Sequence, residues 1–197
     1  MNKEEKMILE YFNNNSYITT KEAEELGIKK HKLSKYVREG FIERSQRGVY
    51  VLVDDVIDVY EVFQSTSDKM IYSFGTALYF HGLSDRAPST FYITLPQGYN
   101  ASRIKKREDT NIHYVKKELH ELGKEMIDSP LGGKVVVYDK ERCICDLIKN
   151  KDSIDKQLFV EAITLYFKSE DADKRRLMKY AEYMKIEDKV KLYLEIL

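Results

Sequence analysis

Residues 19–52 read TTKEAEELGIKKHKLSKYVREGFIERSQRGVYVL, and the punctuation of this stretch decides the fold. Thr19 followed three residues later by Glu22 has capping-box spacing, so a short helix opens there and runs to Leu26. Gly27 stops it and Ile28 can fill the turn. A second helix over about 30–39 puts Leu33, Tyr36 and Val37 on one face and His31, Lys35 and Arg38 on the other, until Gly40 ends it. Two β-prone runs, 41–43 and 49–52, then flank Ser45, Gln46, Arg47 and Gly48, the pattern of a hairpin with a glycine tip. Upstream, Met7, Ile8, Tyr11 and Phe12 form an apolar stripe of helical period that ends in Asn13, Asn14 and Asn15.

Helix, short capped helix, tight turn, basic helix and basic-tipped hairpin is the order of a winged helix-turn-helix, a module that lays its second helix in a DNA major groove. Charge agrees with it. The chain as a whole balances 33 basic against 33 acidic side chains, but residues 1–28 hold three lysines against six glutamates. Residues 29–47 hold seven basic side chains against two acidic ones. Local charge of this kind matters more for nucleic-acid binding than the chain total. The expected DNA contacts are Lys29, Lys30, His31, Lys32, Ser34, Lys35 and Arg38 from the helix, with Arg44, Gln46 and Arg47 from the wing. The competing reading is a charged helix face that is simply solvated, or a winged helix that docks on protein.

The 197 residues allow one ordinary domain or two small ones, and 43% hydrophobic with 12% aromatic residues is enough apolar area for a packed core. A mean hydropathy of −0.51 with no apolar window of membrane-spanning length leads to the expectation of a cytoplasmic protein without membrane contact. The first domain is expected over residues 1–53 and the second over 54–197. In the second, Asp54 and Asp55 are expected to cap a helix carrying Val56, Val59, Tyr60 and Phe63, and 68–82 to form another. Strands are expected at 91–95, 111–115 and 134–138, and helices from 139 to the end, about 139–150, 154–168, 172–184 and 187–197. The fold class is therefore α+β: an N-terminal winged helix-turn-helix followed by a mixed α+β domain with a helical C-terminal bundle.

Three strings in this second part carry a family resemblance: YSFGTALYFHGLSDRAP at 72–88, FYITLPQGYN at 91–100 and VYDKERCICDLIK at 137–149. Together with the winged-helix pattern upstream, they resemble the antitoxins of the AbiEi abortive-infection type. The resemblance implies a protein that represses its own operon by binding inverted repeats in the promoter, and a C-terminal domain that counters a nucleotidyltransferase-like toxin encoded beside it, as in type IV systems where the two need not form a stable complex. It implies no enzymatic activity and no cofactor. Inverted repeats would require two copies, bound as a dimer or as cooperating monomers.

The remaining polar groups have simpler readings. Asp139, Glu141, Arg142 and Asp146 could be imagined as a metal-binding set or as the site of a nucleotide-acting enzyme. A helix opening at 139 instead makes Asp139 its cap and Arg142 with Asp146 an i, i+4 pair. Gly132 and Gly133 precede a strand without the serine that a nucleotidyltransferase turn would want. Cys143 and Cys145 lie about 200° apart around such a helix and cannot share a metal ion. His81, beside Gly82, reads as a helix-end residue. Arg103, Lys105, Lys106, Arg107, Lys116 and Lys117, against Glu108 and Asp109, form a second basic strip that could extend a nucleic-acid footprint or be solvated.

Overall fold

The computed structural model describes residues 2–196, except the side chain of Lys106. The chain divides into two compact units: the residues up to Ser65 together with Asp128–Lys134, and Thr66–Ile127 together with Val135 onward.

The first unit begins with α1 (Lys3–Phe12), whose capping box pairs Asn2 with Glu5, followed by β1 (Ile18–Thr19) and α2 (Thr20–Glu25). Thr19 and Glu22 cap α2 reciprocally, as their spacing requires. The turn after α2 closes through Gly27 at φ +82°, where a side chain would be strained. The Ile28 amide returns to the Ala23 carbonyl, and its side chain is fully buried. Next come α3 (Lys30–Arg38), β2 (Ile42–Gln46) and β3 (Val49–Leu52). The strands form an antiparallel sheet in the order β1-β3-β2. Ile8, Phe12, Ile18, Ala23, Ile28, Leu33, Tyr36, Ile42 and Tyr50 make one core from all of these elements.

This unit extends past residue 53, where the sequence reading ends the first domain, because α4 (Val59–Gln64) packs Val62 on Val49 and Val51. Asp54 and Asp55 do not cap that helix. Asp58 does, 3% exposed, with Oδ1 accepting from the Tyr60 and Glu61 amides. Its Oδ2 accepts from the Ser129 hydroxyl and, at 2.8 Å, from the Gly133 amide. One carboxylate thus caps a helix and holds the loop Asp128–Lys134.

The second unit is built on a five-stranded sheet in the order β6-β5-β4-β8-β7. Its elements are β4 (Ile71–Tyr72), α5 (Phe74–Phe80), β5 (Phe91–Pro96), β6 (Thr110–Val115), α6 (Lys117–His120), β7 (Lys124–Asp128) and β8 (Lys134–Tyr138). The helix expected over 68–82 is in fact a strand running straight into a helix. Ile71 and Tyr72 form the central strand, buried on both sides, and the chain turns into α5 through its first residue, Phe74, at φ +45°. Every residue from Ile71 to Leu78 is buried, across the strand and the first turns of the helix alike, so period distinguishes nothing there. At Gly75 the helix runs close to the sheet, where a Cβ would lie 3.4 Å from the Tyr92 ring. Strand β7 was not foreseen: KEMID at an edge carries too much charge to read as a strand.

From Asp139 onward the chain is helical: α7 (Lys140–Lys149), α8 (Lys156–Lys168), α9 (Lys174–Met184) and α10 (Glu187–Ile196). Helix α7 is buried on all sides and packs against α5, α8, α9 and α10. Its cap, Asp139, accepts from the Arg142 amide at 2.8 Å and from the Tyr180 hydroxyl at 2.9 Å. Burial pushes the Asp139 carboxyl up to about 6.

Two outcomes follow from these caps. Gly133→Ala places a Cβ 2.5 Å from Asp58 Oδ2. It should destabilise the protein by about 1–3 kcal/mol in urea unfolding, through overpacking against a carboxylate that cannot move. Asp139 binds its proton more tightly folded than unfolded, so its contribution makes stability fall as pH rises from about 4 to about 6, by roughly 3 kcal/mol in full. Asp139→Asn keeps the cap acceptor and should flatten that segment of the stability–pH curve relative to wild type. An unchanged curve would mean that Asp139 titrates at its ordinary value.

Candidate nucleic-acid interface

Helix α3 offers its outer side because its inner side is fixed. Leu33 and Tyr36 are 0% and 1% exposed, and the Tyr36 hydroxyl donates to Glu4 Oε2 at 2.7 Å. That leaves Lys30, His31, Ser34, Lys35 and Arg38 exposed along one face, with Lys29 just before the first turn. No side chain caps the N-terminus of α3 and no acidic residue lies in its first turn, so the positive end of the helix dipole adds to Lys29 and Lys30 there. Lys35 reaches Glu39 at 3.5 Å, an exposed pair weak enough to be exchanged for another anion.

Lys32 departs from the expected set. It is half-buried on the α1 side of the helix, and its ammonium lies 3.2 Å from Glu4 Oε2. The Tyr36 hydroxyl and then Lys32 hold the Glu4 carboxyl below its ordinary range. Two positions C-terminal to Lys30 on a helix is about 200° around, which turns Lys32 from the solvent face toward the neighbouring helix.

In the hairpin, Arg44 and Arg47 are exposed. Gln46 is not available as expected. Its amide nitrogen donates to the Val62 carbonyl at 2.6 Å and to Ser65 Oγ at 3.0 Å, tying the hairpin to α4. A register shift between Arg44 and Gln46 inserts Ser45 as an extra residue in β2, and this bulge re-aims Gln46 toward α4. The glycine tip is fixed from the other side by the Thr20 amide, 2.8 Å from the Gly48 carbonyl.

The second basic strip is divided between the two ends of one strand. Arg103, Lys105 and Arg107 precede β6 and Lys116 and Lys117 follow it, and a six-residue strand separates the two groups by about 17 Å. Arg107 pairs bidentately with Asp109 at 2.7 and 2.9 Å and stacks over Phe91 at 4.5 Å. The Lys106 side chain lies outside the described residues. Arg103, Lys105, Lys116 and Lys117 are exposed.

Side chains that could suggest chemistry are engaged in packing. Arg142, fully buried, bonds Asp146 at 3.0 Å and the Leu119 and Leu122 carbonyls at 2.6 and 2.8 Å. Glu141 accepts from the Tyr166 hydroxyl and the Asp173 amide, and Arg176 lies within 4 Å of both Asp139 and Glu141. Cys143 and Cys145 are buried free thiols; burial pushes Cys143 well up and Cys145 up to about 12. His81 binds the Tyr138 carbonyl at 2.8 Å rather than its own helix end, and His113 stacks on Phe74 with ring centres 4.0 Å apart. His120 binds the Lys69 carbonyl at 2.9 Å. Burial holds His81 and His113 below the ordinary imidazole value.

Sequence reasoning missed Glu4, which braces α3, and the α4 cap Asp58. Asn2 three residues before Glu5 was a readable capping box that placed the first turn of α1. The contact from Glu4 to Tyr36 spans more than thirty residues and left no local trace. No curated protein matches the chain. Residues 6–53, from α1 through the hairpin, match the family model described as a transcriptional regulator, AbiEi antitoxin; the chain is similar to that family over this stretch, about a quarter of its length.

Proposed function

We propose that the first unit is a winged helix-turn-helix that binds double-stranded DNA, with α3 in the major groove and the β2–β3 hairpin as the wing on the adjacent backbone. The observation that carries this reading is the solvent face of α3, where Lys30, His31, Ser34, Lys35 and Arg38 stand together over a rigid apolar floor. The match to an antitoxin and transcriptional regulator family over the same residues supports it. Specificity comes from Ser34, His31 and their neighbours at base edges, and most of the affinity from phosphate contacts by Lys29, Lys30, Lys35, Arg38, Arg44 and Arg47. Lys32 and Gln46 act within the fold.

On this reading the protein represses its own operon at promoter inverted repeats, and the second unit serves an antitoxin role against a nucleotidyltransferase-like toxin without a lasting complex. No helix among the described residues is long and apolar enough to cross a membrane, in keeping with action in the cytoplasm. Asp139 and Glu141, which an enzyme acting on nucleotides would use, are engaged by Tyr180, Tyr166 and Arg176 and lend that alternative no support.

Fluorescence anisotropy against salt tests the DNA-binding surface. With about six phosphates neutralised, log affinity should fall against log salt with a slope of roughly −5. Lys35→Ala, Arg38→Ala and Arg47→Ala should each weaken binding and reduce the slope by about one. Wild-type affinity in both helix variants would remove α3 from the interface, and an unaltered slope in Arg47→Ala would remove the wing. Gln46→Ala should lower thermal stability, because the hairpin loses its hydrogen bonds to the Val62 carbonyl and Ser65 Oγ, while leaving the slope in place.

A further inference from the structure

The two edges of the five-stranded sheet differ in kind. Strand β7 carries Lys124, Glu125 and Asp128 within five residues, the charged composition that keeps an edge from pairing. Strand β6, Thr-Asn-Ile-His-Tyr-Val, has no charge, proline or glycine, and among the described residues it pairs only with β5. Its backbone direction is set by that pairing. The Phe91 amide donates to the Asp109 carbonyl and the Gln97 amide to the Val115 carbonyl. In a parallel ladder this turns the odd-numbered residues of β6 toward β5, so the peptide groups of Thr110, Ile112 and Tyr114 face away from the sheet. Tyr114 is 40% exposed and Asn111 beside it is exposed.

Charge lies immediately beyond both ends of this neutral strand, and with opposite sign. Glu108 and Asp109 precede it, Lys116 and Lys117 follow it, and Glu108, Lys116 and Lys117 are exposed. We propose that β6 is a self-complementary docking edge on which a second copy of this chain adds its own β6 antiparallel, joining the two sheets into one. With Ile112 opposite Ile112 of the second copy, each Thr110 faces a Tyr114, and the outward amides and carbonyls of all three residues pair across the two-fold axis. The same register brings Glu108 of each copy beside Lys116 of the other. Arg107, which would face Lys117, is already neutralised by its bidentate pair with Asp109. A parallel arrangement would instead set Glu108 by Glu108 and Lys116 by Lys116. The surface lies wholly in the second unit, so the inference stands whether or not the first unit binds DNA. It also gives Lys116 and Lys117 a partner other than nucleic acid.

Sedimentation velocity of the full chain from micromolar to submillimolar concentration tests the proposal. Wild type should show a monomer–dimer equilibrium. Lys116→Glu sets two acidic groups against each other at both ends of the interface and should weaken the dimer about tenfold. Adding Glu108→Lys to the same chain reverses both partners and should restore it. Ile112→Pro deletes an outward N–H without touching the β5 ladder and should leave a folded monomer by circular dichroism. Should that variant misfold, the charge exchange decides alone. A monomer at all concentrations, a dimer indifferent to Lys116→Glu, or a double variant no tighter than the single one would overturn the assignment.

Discussion

Burial of Leu33 and Tyr36 governs what the first unit presents to solvent. Each turn of α3 brings one apolar side chain into the core formed by Ile8, Ile18, Ile28 and Ile42, and the residues between them have nowhere to go but outward. The phenol of Tyr36 adds direction to this burial, because its hydroxyl must find a partner and finds Glu4 of α1. Rotation of α3 about its axis is therefore resisted by both packing and a hydrogen bond. The cationic face is a consequence of the core, and its geometry is as rigid as the core is.

The same constraint sorts the polar residues into kinds. Lys32 belongs to the bracing of α1 on α3, and Gln46 to the bracing of the hairpin on α4. Lys30, Lys35, Arg38, Arg44 and Arg47 remain on the outside. In the second unit, burial works in the opposite sense: Arg142, Asp146, Asp139 and Glu141 are polar groups drawn into the packing of α7, where each is held by designated partners. Polar residues that look like chemistry in a linear string are there the fasteners of a buried helix.

How much could be read from the sequence follows from how local each cause is. The α2 cap, the glycine turns at Gly27 and Gly40, the inner face of α3 and the C-terminal helices were all legible, since each is written within a few residues. The strand–helix junction at Ile71–Phe80 was not, because complete burial erases the alternation that separates a strand from a helix. Asp58 was passed over in favour of Asp54 and Asp55, as nothing local says which of three aspartates will meet the Ser129–Gly133 loop. The exposure of Lys30, Lys35, Arg38, Arg44 and Arg47 follows from residue type and period. The tertiary partners of Lys32 and Gln46 were not legible, in one case more than twenty residues away and in the other aimed by a bulge.

The claim on which the account rests is that the solvent face of α3 reads DNA. Its most direct test is fluorescence anisotropy of the full chain on a duplex taken from upstream of its own gene, competed against a shuffled duplex of the same composition. The account predicts binding at least tenfold tighter to the upstream duplex, a difference of about 1.4 kcal/mol, well within what a few base contacts supply. Equal competition by the two duplexes would contradict it, and would leave the face of α3 as a charged surface without a nucleic-acid reader.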